Sequence, residues 1–209
     1  MARSAAEFLP QTQSMKALRE AAAHCRGCDL YKYVTQTVFG EGGVRSRVML
    51  VGEQPGDMED RTGHPFVGPA GTLLRKAMVQ AGIEPSSAYI TNAVKHFKFI
   101  ERGKKRIHQK PKTIEIRACE PWLEAELRRV HPQVVVALGA TAAQALLGNT
   151  FRLTKHRGEV LSSPLASRVV ATVHPSAILR TPDSENRRRE LAKFVEDLQH
   201  VASLLQASA

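Results

Sequence analysis

Four short apolar stretches punctuate the chain, at 48–51, 88–91, 134–138 and 169–173. They are rich in Val, Ile, Leu and Ala, and none alternates cleanly with polar residues. Runs of that length without a two-residue period fit strands buried on both faces. Between them the periodicity turns helical. Leu73, Leu74, Ala77 and Met78 share one face of 70–81, and Cys119, Trp122, Leu123 and Leu127 share one of 116–130. Thr141 can cap the Ala/Leu-rich 141–147, and 184–205 carries Leu191, Phe194, Val195, Leu198, Val201, Ala202 and Leu205 at helical spacing. A further helix is expected at 14–24 from its Ala, Leu, Lys and Glu content. This alternation predicts an α/β fold: one domain over 1–209, a three-layer sandwich whose central four-stranded parallel sheet is flanked by helices. The segment about 14–40 is expected to pack on that body. No repeat, low-complexity tract or linker divides the chain.

In open α/β sheets the functional crevice lies beyond the carboxyl ends of the strands. The first apolar run leads into Gly52-Glu53-Gln54-Pro55-Gly56-Asp57, the second into Asn92, the third into Gly139-Ala140-Thr141 and the fourth into His174-Pro175-Ser176. A carboxylate, an amide and an imidazole are therefore predicted to meet on one rim. Each has a plainer reading as an ordinary turn or cap. Gly63-His64-Pro65-Phe66-Val67-Gly68-Pro69-Ala70-Gly71 precedes a helix whose open N-terminus suits an anion, while Phe66 is either a base-stacking aromatic or a core residue. Ile178 and Leu179, after His174, either wedge between bases or belong to the core.

Charge narrows the partners. The chain of 209 residues has a net charge of +10, and eight Lys/Arg against the single acid Glu101 fall within 95–112. Nucleic acid is the first expected partner. Lys104-Lys105-Arg106 is a solvated or phosphate-binding patch, and His108 beside it has three readings: phosphate contact, general base or nucleophile. Composition alone favours the first. No apolar run approaches the roughly 20 residues that cross a bilayer, and the first ten residues lack an apolar signal core, so the expectation is a soluble, cytoplasmic protein without a membrane partner. Cys25-Arg26-Gly27-Cys28, with Cys119 and His96, makes a Cys₃His set. That set suits zinc and equally an iron–sulfur cluster with one substituted thiolate.

Taken together, Gly-Glu-x-Pro-Gly, Pro-Phe-x-Gly-x-Ala-Gly, a strand ending in Asn, and His-Pro-Ser resemble the uracil-DNA glycosylase superfamily, and its iron–sulfur (family 4) branch in particular. Gln54 and the Lys-Lys-Arg-Ile-His loop resemble the subgroup called UdgX, whose members become covalently attached to the DNA they have processed. The resemblance implies catalytic roles for His108, Glu53, Gln54 and His174, with His108 bonding to the sugar and His174 serving the leaving base. It implies a uracil pocket from Gly52, Asp57, Phe66 and Asn92, and DNA contacts from Lys104, Lys105, Arg106, Ser176 and Arg180. It implies a [4Fe-4S] cluster, in preference to zinc, on Cys25, Cys28, His96 and Cys119. The expected partner is uracil-containing DNA, single-stranded by preference, and the expected protein is a nucleoid-associated bacterial monomer. The subgroup loop runs Lys-Arg-Arg-Ile-His. Here Lys105 stands at the first Arg, which keeps the charge but loses the bidentate fork.

Overall fold

A computed structural model describes residues 4–12 and 14–207. Residues 1–3, 13, 208 and 209, at the ends and near the start of the expected domain, lie outside the described residues. In chain order the elements begin with helix α1 (Met15–Ala23), strand β1 (Val48–Gly52), helices α2 (Asp57–Thr62) and α3 (Pro69–Gln80), and strand β2 (Ala88–Asn92). Strands β3 (Phe99–Arg102) and β4 (Lys105–His108), helix α4 (Thr113–Val130), strand β5 (Val134–Leu138), and helices α5 (Ala140–Leu147) and α6 (Leu153–His156) follow. Strands β6 (Val160–Ser163) and β7 (Ala166–Thr172) and helices α7 (Pro175–Leu179) and α8 (Ser184–Gln206) complete the described chain.

The main sheet runs β2-β1-β5-β7-β6. The four predicted strands are there and parallel to one another. β1, β2 and β5 are buried along their whole length, which is why they lack alternation. The four-stranded parallel expectation needs correcting on two points. The sheet has five strands, and it is mixed, because β6 lies antiparallel on β7. β6 offers only Val160 and Leu161 as apolar residues and sits half exposed at an edge, so its pattern is faint. The expected helices appear within a few residues of their predicted bounds. Ser14 caps α1 by accepting from the Ala17 N–H, and Asp183 caps α8 by accepting from the Asn186 N–H.

Helices α3 and α8 with Ile178 of α7 cover one face of the sheet, through Leu74, Met78, Phe194, Leu198 and Val201. Helices α4 and α5 cover the other, through Leu123, Leu127, Ala142 and Leu146. The N-terminal segment makes a third apolar group against α4, containing Leu18, Ala22, Cys25, Phe39, Cys119 and Trp122. Among the described residues no helix is long and apolar enough to cross a membrane.

β3 and β4 form a separate two-stranded hairpin where a basic loop was expected. Its register pairs Phe99 with His108, Ile100 with Ile107, Glu101 with Arg106 and Arg102 with Lys105. Cross-strand partners share a face, so Phe99, Arg106 and His108 lie on one side. Gly103, at φ +60°, makes the turn with Lys104.

Candidate functional site

The ends of β1, β2, β5 and β7 place four polar side chains around one recess. Glu53 follows β1, and its two oxygens are used separately. Oε2 accepts from the Thr141 hydroxyl at the start of α5, while Oε1 lies 3.3 Å from His108 Nε2 on the hairpin. Burial raises the Glu53 carboxyl pKa, but the hydrogen bonds from His108 and Thr141, with the electrostatic pull of His108 and His174, outweigh it, and the group stays below its usual value. It is therefore an ionised acceptor at neutral pH. His108 itself is about half exposed, at the mouth of the recess.

His174 follows β7 and caps α7. Its Nδ1 accepts from the Ser176 N–H at 3.2 Å and lies 2.8 Å from Ser176 Oγ, which in turn accepts from Arg180 at 3.1 Å. An Nδ1 that accepts puts the ring proton on Nε2, leaving an N–H free to donate. Burial lowers the His174 pKa to about 4, against a smaller opposing pull from Glu53, so the ring is neutral at physiological pH. Ser176 and Arg180 thus support His174, whatever they touch outside. Unfolded histidine takes up its proton near pH 6.5, whereas this one waits until about pH 4. Between those values the unfolded chain binds more protons, so acidification lowers stability. Going from pH 7 to pH 4 should cost roughly 3 kcal/mol through this group. The check is the urea midpoint against pH: His174→Gln should flatten the slope, and an unchanged slope would contradict the assignment.

Gly52, Phe66 and Asn92 form the floor. Asn92 Oδ1 is buried without a hydrogen-bond partner in the structure. An unpaired buried acceptor is costly and marks a place for a donor from a ligand. A Cβ on Gly52 would fall 2.3 Å from that oxygen and 2.6 Å from the Phe66 ring, so only glycine lets amide and ring approach. Phe66 adopts φ +55°, a strained conformation for an aromatic residue. Arg75 holds its carbonyl at 2.7 Å, and Gly71 leaves that carbonyl room that any side chain would fill. The Phe66 and His174 rings stand 5.8 Å apart.

The hairpin is fastened from below. The Gln54 amide donates to the Lys98 and Gln109 carbonyls and accepts from the Lys98 N–H, clamping both legs. Arg106 turns inward: it pairs with Asp57 and Asp60 and lies over the Phe97 and Phe99 rings. Only about an eighth of its side chain is exposed, so its charge is spent on the body. Asp57 is correspondingly a hairpin anchor, also paired with Arg61. Lys104 and Lys105 are exposed. Ile178 is buried in the core and Leu179 is over a third exposed, so at most one of that pair can reach a partner.

The three cysteines carry free thiols and share one apolar region with α4. Burial pushes the Cys119 thiol up to about 12, with Cys25 and Cys28 close enough to add to it and Lys95 opposing. Burial likewise raises Cys28. Among the described residues no three His, Cys, Asp or Glu side chains are drawn together as for a single ion. Ligands around a multi-iron cluster stand farther apart than ligands on one ion. The donor set fits such a group chemically: three free thiols, of which burial raises Cys28 and Cys119, and His96, whose Nδ1 is buried without a partner and whose pKa burial lowers to about 4.

Sequence reasoning missed Thr141 as the holder of Glu53, reading it only as a cap. It also counted Lys95 in the basic run. Lys95 is wholly buried, donating to Glu126, to Thr91 and to the Asn92 carbonyl, while Glu126 also receives the Gly40 N–H and the Tyr89 and Thr91 hydroxyls. A lysine three residues past a strand-end Asn, with a glutamate on an apolar helix face, was the available signal.

A family profile described as the uracil DNA glycosylase superfamily matches residues 39–199. The chain is 36% identical over 194 residues to a type-4 uracil-DNA glycosylase of Thermotoga maritima, covering 92% of this chain and 95% of that one. It is 34% identical over 188 residues to a type-4 uracil-DNA glycosylase of Pyrobaculum aerophilum, covering 86% and 92%. A type-5 uracil-DNA glycosylase of the same organism is 34% identical over 178 residues, covering 77% and 74%.

Proposed function

The chain belongs to the uracil DNA glycosylase superfamily, and from that premise we propose that it excises uracil from DNA, single-stranded by preference, and remains bonded through His108 to the sugar it has exposed. The observation that carries the second half is the 3.3 Å approach of His108 Nε2 to Glu53 Oε1. It seats an imidazole beside an ionised carboxylate at the mouth of the recess that would hold the base.

The chemistry follows from the placement. A base inside a stack cannot be reached, so the uracil must be flipped out or come from a single strand. Phe66 stacks on it, and Asn92 Oδ1 accepts its N3–H. As the N-glycosidic bond breaks, its electron pair leaves with the uracil. The Nε2–H of neutral His174 donates to the carbonyl oxygen that gains this charge. The Glu53 carboxylate faces the sugar as C1′ becomes cationic. An imidazole nitrogen of His108 then bonds to C1′, and the proton on that ring passes to Glu53. Imidazole is a poor leaving group from this carbon, so the bond persists. Gln54 acts by holding the hairpin, and Lys104 and Lys105 supply outward cations for phosphate. Cys25, Cys28, His96 and Cys119 would hold a [4Fe-4S] cluster. When bound, it supplies a structural cross-link between the N-terminal segment and α4.

Denaturing electrophoresis after incubation with a uracil-containing single strand tests this reading. A heat-stable band shifted by the mass of the oligonucleotide is expected, absent with the thymine analogue. Release of uracil without the shifted band favours the second reading, a turnover glycosylase in which water attacks and the basic hairpin only grips phosphate. The half-exposure of His108 is the observation that favours this alternative.

A further inference from the structure

Two polar atoms beside the cysteines are buried and have no hydrogen-bond partner in the structure: His96 Nδ1 and Trp122 Nε1. One is an imidazole nitrogen, the other an N–H donor. Trp122 shares its apolar group with Cys25 and Cys119, and it lies three residues after Cys119 on α4, within one turn of the same helix. His96 follows Lys95, whose backbone N–H donates to Cys119 Sγ at 3.2 Å. On its other side the His96 ring reaches Thr37, with Nε2 2.9 Å from Thr37 Oγ1.

The tautomer of His96 follows from proton counting. Thr37 Oγ1 also lies 2.9 Å from the Ala22 carbonyl, which can only accept. The hydroxyl has one proton, and it goes to Ala22. His96 Nε2 must then carry the proton of the second hydrogen bond, which leaves Nδ1 as a bare lone pair. Buried and unpartnered, such an atom is expensive unless something ligates it. The indole N–H of Trp122 has the complementary need, an acceptor, and no oxygen supplies one.

We propose that Thr37 and Trp122 complete the cluster site: Thr37 fixes His96 so that Nδ1 is the ligating nitrogen, and the Trp122 N–H donates to a sulfur of the cluster or of its thiolates. This rests on the reading of Cys25, Cys28, His96 and Cys119 as ligands of an iron–sulfur cluster. Both are positioning residues, acting through the ligands and the cluster's sulfur. A hydrogen bond tying the far nitrogen of a ligating histidine is the usual way its ring is held, and N–H donors to sulfur raise a cluster's reduction potential.

The test uses the full chain as purified. Iron and acid-labile sulfide with broad visible absorption are expected in the wild type. Their absence overturns the cluster reading and this inference with it. Thr37→Val keeps the shape and removes the hydroxyl. It should lose iron to EDTA at least tenfold faster, and Thr37→Ser should restore retention. Trp122→Phe keeps the ring and removes the N–H. It should hold its iron while the reduction potential moves more negative. Trp122 is the only tryptophan of the chain, so wild-type indole emission should also rise when the cluster is stripped. Circular dichroism establishes that each variant is folded. A loaded wild type with an unchanged chelation rate in Thr37→Val overturns the tautomer assignment, and an unchanged potential in Trp122→Phe overturns the N–H donor.

Discussion

Replacing His108 with serine should abolish the heat-stable protein–DNA band and convert the protein into one that releases uracil over many turnovers. A ring held next to the reacting carbon has an effective concentration far above that of bulk water, with values for well-oriented groups reaching about 10⁵ M or more. Serine is too short to bridge from β4 to Glu53, so that advantage vanishes and water takes the imidazole's place at C1′. The pocket residues Gly52, Phe66, Asn92 and His174 lie on the main sheet and its connections, on elements other than the hairpin. Excision should therefore survive. The measurement pairs a denaturing gel with uracil quantified per protein molecule. A shifted band in His108→Ser would show that another group forms the bond. Loss of both band and uracil release would show that His108 serves bond cleavage as well.

The second large effect is expected at a position with no side chain. Gly52→Ala should lower kcat/KM for uracil excision by at least ~100-fold, about 2.7 kcal/mol in transition-state stabilisation. The new methyl carbon would meet Asn92 Oδ1 at 2.3 Å and Phe66 Cζ at 2.6 Å, closer than real contacts allow. Either the amide or the ring must move off the base, and both align it. Asn92→Ala should cost a similar factor by deleting the acceptor. The double variant should fall well short of the sum of the two losses, since both damage one feature. Near-normal rates in Gly52→Ala with an intact far-ultraviolet spectrum would remove this recess as the base pocket.

Much of the architecture was legible because buried parallel strands announce themselves as unbroken apolar runs. The four strand ends carrying Glu53, Asn92, Thr141 and His174 then followed from the topology of such sheets. The hairpin was hidden. Its residues, Phe99, Ile100, Glu101, Arg102 against Lys105, Arg106, Ile107, His108, show no clean alternation of apolar and polar positions, and the density of charge in that stretch suggests a solvated loop. The inward turn of Arg106 depends on Asp57 and Asp60, some 46 to 49 residues away. No local pattern encodes a partner at that range. The same holds for Thr141 on Glu53, 88 residues apart, and for Lys95, whose burial is set by Glu126 on a neighbouring helix. The fifth strand was missed for a different reason: an edge needs little apolar surface, so it writes little into the chain.

The hairpin shares no strand pairing with the main sheet. Gln54 pins its two legs, Arg106 ties it to two aspartates, and its Phe99 stacks on Phe97 just before it. It is thus a separate module on the main sheet, and it meets the cleavage residues where His108 approaches Glu53. A scaffold that lets go of its product and one that sacrifices itself to shield the damage would differ by a single transplantable ribbon and its docking acids.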